Sequence, residues 1–294
     1  MGRLYCTTDR DNARPSNCRL ERHSSKRGRR SECDRGRAGA ENREFMSPKS
    51  ANKSVIAICI QEPAEDGSKF DLGAITGDDL RFIHQAFITD TIINALSVPS
   101  ADVRLYHIKD AARKRLVGIV QDYLAKKLTG KKAERFKDGY STHEQPKERW
   151  GLRIEQVFEE CFAAGYNNVL VVGSRTPTVT PNMLKTALRV LDKSDAVFGP
   201  TPEGRYYTIG MSGSYRIRLS DFDWKSPRIY SDVASAFTES KLSWSELEIW
   251  YTIETSDELE IMARDINQFR FEGNEETARE TELVMERLIS KLEP

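Results

Sequence analysis

With 294 residues the chain has room for one large domain or two small ones, and 38% hydrophobic against 31% charged residues describes a soluble globular protein. Its net charge of zero hides an asymmetry: residues 1–45 hold twelve Lys or Arg against seven Asp or Glu, about +5, leaving about −5 for the rest, which argues against a folded domain that binds nucleic acid. No apolar run approaches the roughly 20 residues that span a bilayer, and no apolar stretch follows the basic amino terminus as it would in a secretory signal. The expected location is the cytoplasm, with no membrane partner.

In chain order, residues 1–50 are rich in Arg, Ser, Gly and Asn and offer few large apolar side chains. Such a segment cannot offset the entropy of ordering, so a disordered basic tail is expected, dispensable for folding. Lys26-Arg27-Gly28-Arg29-Arg30 is a polyanion-binding pattern by charge, but a solvated tail or an upstream extension before a start at Met46 is the plainer reading. Order begins with residues 55–60 (VIAICI), a strand apolar on both faces. A turn-rich loop over 61–77 leads to a helix capped by Asp78, with Leu80, Ile83, Phe87, Ile92 and Leu96 at helical spacing. His84 on that helix is expected at the surface. A strand over 103–108 and a helix over 111–127 follow.

Residues 128–148 are charged and read as an exposed loop with a short extended piece near 136–140. An amphipathic helix over 148–164 carries Ile154, Val157, Phe158, Cys161 and Phe162 on one side. Residues 168–212 then read as buried strand, loop, helix, strand, tight turn and strand. Helix is expected over 227–239, strand over 247–253, helix over 256–268 with a cap at Thr255 or Ser256, and a last helix over 275–292. Strands alternating with helices give one α/β domain with a mostly parallel sheet over residues 51–270, followed by a C-terminal helix within 271–294. The five cysteines are scattered and form no CxxC pair, so neither zinc nor a disulfide framework is expected, and Cys59 and Cys161 read as core residues.

Two motifs in the central segment carry a family resemblance. Gly173-Ser174-Arg175-Thr176-Pro177 through Pro181, and Gly199-Pro200-Thr201-Pro202-Glu203-Gly204-Arg205-Tyr206-Tyr207-Thr208-Ile209-Gly210, resemble the selenodomain-associated transferases. These are bacterial glycosyltransferase-like proteins with the Rossmann-like nucleotide-diphospho-sugar transferase (GT-A type) fold. The family pattern resembles G-S-D-x-P-x-L-x-P followed by G-P-x-x-D-G-G-Y-Y-x-I-G. Arg175 therefore stands where the family resembles aspartate, Glu203 replaces a second aspartate, and Arg205 replaces a glycine. Weaker likenesses extend over residues 54–262. Gly67-Ser68-Lys69-Phe70-Asp71-Leu72 stands for G-x-x-K-T-R-L, Trp150-Gly151-Leu152-Arg153-Ile154 for L-G-x-R-M, and Thr252-Ile253-Glu254-Thr255-Ser256-Asp257-Glu258-Leu259 for D-x-D-T-x-x-D-L.

The resemblance implies a nucleotide or nucleotide-sugar diphosphate ligand, whose leaving group must be neutralised as its bond to the sugar breaks. A divalent ion held by carboxylates is the usual device. Here a cation stands at the first carboxylate position and Thr252 and Glu254 at the later pair, so no metal is expected, neither Mg²⁺ nor Mn²⁺. Arg175 permits two readings. Its planar fork could bind the diphosphate in place of the metal, helped by Lys69, Arg153 and Arg205. Alternatively the site has decayed, Arg175 pairs with Glu203 or Glu254, and the chain is a binding or regulatory homologue with a protein partner. Asp71 in place of the family's first-loop arginine favours decay. Tyr206 and Tyr207 alternate on a strand, so at most one of them faces a ligand. Trp224 is a candidate on the acceptor side or a packing residue. The four histidines fit no triad or metal spacing.

Overall fold

A computed structural model describes residues 53–60, 70–213 and 217–292. The expectations for the basic tail, Gly67 and Lys69 lie outside the described residues.

The first strand, β1 (Ser54–Cys59), is buried at every position, as a β-branched run between two layers of helices must be. It is followed by α1 (Gly77–Leu96), β2 (Ala101–Ile108), α2 (Ala111–Lys127), α3 (Gly130–Asp138) and β3 (Tyr140–Gln145). Next come α4 (Trp150–Ala163), β4 (Asn168–Gly173), α5 (Pro181–Leu191), β5 (Ala196–Pro200) and β6 (Tyr206–Ser212). The chain closes with α6 (Ile229–Glu239), β7 (Trp244–Glu246), α7 (Ser256–Phe271) and α8 (Arg279–Leu292).

The seven strands form one sheet in the order β3-β2-β1-β4-β6-β5-β7. Only β6 runs against its neighbours, pairing antiparallel with β4 and β5, while β1, β2, β3 and β4 pair parallel and so do β5 and β7. The expected α/β architecture with a mostly parallel sheet is the one observed. Residues 169–172 are no more than 2% exposed, and β4 pairs in register with β1, so that Cys59 stands beside Gly173 at the carboxyl edge.

One face of the sheet is covered by α1, α2 and α5, the other by α4 and α6. The local signals that end and start these helices are polar caps. Asp110 accepts from the backbone N–H groups of Ala112 and Arg113, and Thr180 from that of Met183. Thr255 and Glu258 form a reciprocal capping box at the start of α7. Helix α8 is held from a distance: the buried Asp90 carboxylate, in the middle of α1, accepts from the backbone N–H groups of Glu280 and Thr281 and from the Thr281 hydroxyl.

Four expectations are corrected. The charged stretch after α2 is not a loop but α3 and the edge strand β3, which satisfies its backbone through β2 although its sequence, YSTHEQ, is polar. Residues 247–253 do not form a ladder strand. The pairing is confined to the three residues of β7, and the apolar run beyond is tied by single bonds from Leu247, Trp250 and Ile253 N–H to the carbonyls of Phe198, Pro200 and Arg175. Helix α1 begins one residue before Asp78, with Thr76 at its N-cap position. His84 is 7% exposed rather than on the surface.

Candidate functional site at the carboxyl edge of the sheet

The strands β1, β2 and β4 point their carboxyl ends to one side, where an open α/β sheet offers a crevice for ligands. After β4 the chain turns sharply. Ser174 N–H bonds to the Cys59 carbonyl at 3.1 Å and the Thr176 hydroxyl returns to the Gly173 carbonyl at 2.7 Å. The Asn94 amide on α1 holds the carbonyls of Pro177 and Val179, and the Trp250 indole N–H donates to the Thr178 hydroxyl. Residues 174–176 and Thr178 are fully buried despite their polarity. This loop is fixed by its own hydrogen bonds and by those from α1 and residues 250–253, and Arg175 sits on it.

Arg175 has no solvent exposure. Its carbonyl accepts from Ile253 N–H at 2.9 Å, and its guanidinium lies over the Phe70 ring at 4.7 Å, a cation–π contact. Phe70 in turn touches the His84 ring, 5.2 Å between centroids. Burial, and then the charges of Arg175 and Arg113, push the His84 pKa down to about 3, so the ring is neutral at ordinary pH.

The next residue along, Glu254, gives its carbonyl to Asp71 N–H at 2.8 Å and lies with its carboxylate 3.9 Å from the Arg205 guanidinium. The two side chains are 17% and 18% exposed, so this pair sits at the mouth of the site. Thr252 reaches Glu254 through its hydroxyl at 3.4 Å. Three separate sequence motifs, those of Arg175, Arg205 and Glu254, thus converge on one end of β4, beside the Phe70–Asp71 end of the first loop. The turn that carries Arg205 depends on Gly204. Its φ is +74°, and a Cβ there would stand 2.4 Å from the Pro227 carbonyl oxygen.

The remaining candidates are placed differently. Glu203 is exposed on the β5–β6 turn. Arg153 is 1% exposed and bonds inward, to the Ile60 carbonyl at 3.0 Å and to Gln145 at 3.2 Å, while Gln145 donates back to the Arg153 carbonyl. Tyr206 is half-buried and its hydroxyl accepts from the Trp150 indole. Trp224 is packed rather than exposed: its N–H donates to the Leu219 carbonyl at 2.6 Å and its ring meets Tyr206 edge-on at 5.1 Å. It lies against the first turn of α4, where a Cβ on Gly151 would be 2.5 Å from the indole nitrogen. Tyr207, the other member of the tyrosine pair, is 2% exposed and bonds the Glu248 carbonyl. A cleft of about 720 Å³ opens beside this aromatic cluster, lined by Lys147, Arg149, Trp150, Asp221, Asp223 and Lys225. Cys59, at the end of β1, is no nucleophile, because burial pushes its thiol up to about 12.

A solved structure, of a Desulfovibrio desulfuricans G20 protein assigned as a nucleotide-diphospho-sugar transferase, superposes over 80% of this chain and 97% of its own, with a TM-score of 0.60 at 20% identity. The fold is that of the nucleotide-diphospho-sugar transferases. Two more distant similarities are a cytidylyltransferase from Leptospira borgpetersenii, with 12% identity, 81% and 95% coverage and a TM-score of 0.46, and a nucleotidyl transferase from Methanothermobacter, with 13% identity, 74% and 100% coverage and a TM-score of 0.46. The profile of a family described as "Uncharacterized protein conserved in bacteria (DUF2064)" matches residues 109–226, a stretch that includes both central motifs up to Trp224. No curated protein matches the sequence. Among the described residues no helix is long and apolar enough to cross a membrane.

Proposed function

We propose that the chain is a glycosyltransferase-like protein, akin to the selenodomain-associated branch, that binds a nucleotide or nucleotide-sugar diphosphate at the carboxyl edge without a divalent ion. The observation that carries this reading is the convergence of Arg175, Arg205 and Glu254 at the end of β4. Arg205 lies at the mouth, where a diphosphate oxygen can reach its fork once Glu254 is displaced. Arg175 is the positive charge beneath, in a low-dielectric setting where its field acts strongly on an anion above it. Direct contact with Arg175 requires Phe70 to move aside. Lys69 belongs to the same proposal as a first-loop cation.

The residues present do not fit a family-type Mg²⁺ or Mn²⁺. A guanidinium occupies the first carboxylate position, Thr252 offers a hydroxyl, and the Glu254 carboxylate lies 3.9 Å from Arg205. A divalent ion seeks several oxygen donors and would meet a cation instead. As Arg153 and Trp224 are committed to the interior, we assign them to holding the crevice rather than to touching a ligand.

One observation supports a second reading. Arg175 is fully buried under Phe70 in this conformation, which suits a catalytically degenerate homologue whose cleft or surface serves a protein partner. Titration of the full chain with UDP-, GDP-, ADP-, CDP- and dTDP-sugars, in EDTA and in Mn²⁺, separates the two. Saturable binding in EDTA, with slow release of the nucleoside diphosphate, supports a transferase. Binding without turnover supports the degenerate reading, and no binding to any of them removes the nucleotide ligand altogether.

A further inference from the structure

Asp90, 1% exposed in the middle of α1, faces the first turn of α8. It meets the Glu280 N–H at 3.1 Å, the Thr281 N–H at 2.7 Å and the Thr281 hydroxyl at 2.7 Å. Its charged neighbour there is another acid, Glu280, 7% exposed and held from α2 by Tyr123 and Lys127. Burial first, and then the Glu280 charge, push the Asp90 pKa up to about 7 against the pull of its hydrogen bonds. The other charges around this contact are engaged elsewhere. Lys132 on α3 pairs with Glu276, Arg279 pairs with Glu282, and Glu282 also pairs with Arg270 on α7, while Lys131 lines the groove outside Glu280. Along α1 the residues one turn away, Ala86, Phe87, Ile93 and Asn94, are uncharged. Helix α8 is lightly held beyond this turn. After Thr281, Leu288 is the one described side chain that is buried, and Leu283, Val284 and Met285 are half-buried. The chain enters α8 through Ala278, fully buried at φ +56°, a left-handed conformation that a residue with a Cβ keeps only under constraint.

We propose that Asp90 is a pH-operated latch for α8, holding the first turn of that helix on α1 when its carboxyl is protonated and letting it lift when the carboxyl is ionised. In the protonated form the carboxyl O–H donates to the Thr281 oxygen, the carboxyl oxygens still accept the two N–H groups, and no net charge is buried. In the ionised form a charge lies in the interior beside Glu280. A helix N-terminus favours a carboxylate, but here desolvation outweighs it. The stability that Asp90 gives to docking is therefore complete below its ordinary value of 3.8 and is lost as pH rises through about 7. His84, on the same helix, acts in the opposite sense because its pKa is lowered. Release reaches the crevice through packing: Leu288 of α8 shares a cluster with Leu72, Phe87 and Ile253, and Ile253 N–H holds the Arg175 carbonyl. The latch does not depend on what the crevice binds.

The test follows hydrogen exchange of the α8 amides in the full chain between about pH 5.5 and 7.5, each rate divided by the intrinsic rate at that pH. Protection of α8 should fall on the order of tenfold across this range. Asp90→Asn copies the protonated form, its amide N–H donating to the Thr281 oxygen, and should keep α8 protected at the low-pH level throughout. Glu280→Gln takes away the neighbouring charge and should move the transition to lower pH without abolishing it. The wild-type Asp90 carboxyl, followed by carbon NMR, should titrate near pH 7, a readout that needs no variant. A carboxyl that titrates below about pH 5 would overturn the proposal. So would α8 protection that does not fall as pH rises, or that falls equally in Asp90→Asn.

Discussion

Two arginines are buried at the same edge of this sheet, and their surroundings differ in kind. Arg153 sits on the β1–β3 side, where its guanidinium bonds the end of β1 and Gln145 at the end of β3 and rests on the Trp150 ring at 5.1 Å. Its donors join three elements. Arg175 sits on the β4 side, on a loop already fixed by other bonds, and spreads its guanidinium over Phe70 next to a neutral histidine. Removing the first cation takes apart architecture. The proposed task of the second is instead to set the field at the crevice. Burial alone therefore does not say what an arginine does; its surroundings have to be read as well.

The contrast is broken most directly by Arg153→Ala. It strips the Ile60 carbonyl and Gln145 of their partner and opens a cavity, so stability should fall by about 3–4 kcal/mol, read as the midpoint of urea unfolding. A loss no larger than that of Arg175→Ala would contradict the distinction. A third buried ionisable side chain provides a control. Asp90 accepts three hydrogen bonds from the start of α8, and Asp90→Ala should cost about 2–3 kcal/mol and raise hydrogen exchange in α8 before the sheet. Next is Gly151→Ala, on the Arg153 side. Its methyl group would meet the Leu219 carbonyl and the Trp224 indole at 2.5 Å, and the forced shift should cost about 1–3 kcal/mol in a thermal melt.

The smallest effect lies on the Arg175 side and is electrostatic. The folded-state pKa of His84 is pushed down to about 3 from 6.5, by burial first and then by Arg175 and Arg113. The unfolded chain therefore binds more protons between those values, so the stability His84 contributes is complete above pH 6.5 and is lost as pH falls towards 3. Arg175→Gln removes one of the depressing charges. The His84 titration followed by NMR should move upward, by about half a pH unit, while the Arg153→Gln variant leaves it in place. No movement in Arg175→Gln would mean that desolvation and Arg113 set this ring without it.

Much of the fold was legible because its signals are local. Helix α2 covers the expected residues 111–127, with Asp110 as the cap the structure adds, and β1 and β4 follow from β-branched runs. Strand β3 was not legible, because an edge strand carrying Tyr, Ser, Thr, His, Glu and Gln has no apolar face to betray it and draws its stability from pairing with β2. Residues 247–253 mislead in the opposite sense, with an apolar run that packs without a ladder. In the site, the position of Arg175 at the carboxyl end of β4 follows from strand order. That Trp224 is packed follows from Gly151, a contact about seventy residues away that no periodicity records. His84 did leave a signal: it stands four residues after Leu80 and three before Phe87, on the face that α1 buries.

Arg175 is proposed as the counter-charge to a diphosphate in place of a metal ion. The most direct measurement is calorimetric titration of nucleoside diphosphates into wild type and Arg175→Ala in EDTA, repeated in Mn²⁺. Saturable binding to wild type is expected, unchanged by EDTA or Mn²⁺, with a loss of about 1.5–3 kcal/mol in Arg175→Ala. Binding that appears only with Mn²⁺, equal affinities for the two proteins, or no binding at millimolar nucleotide would contradict it.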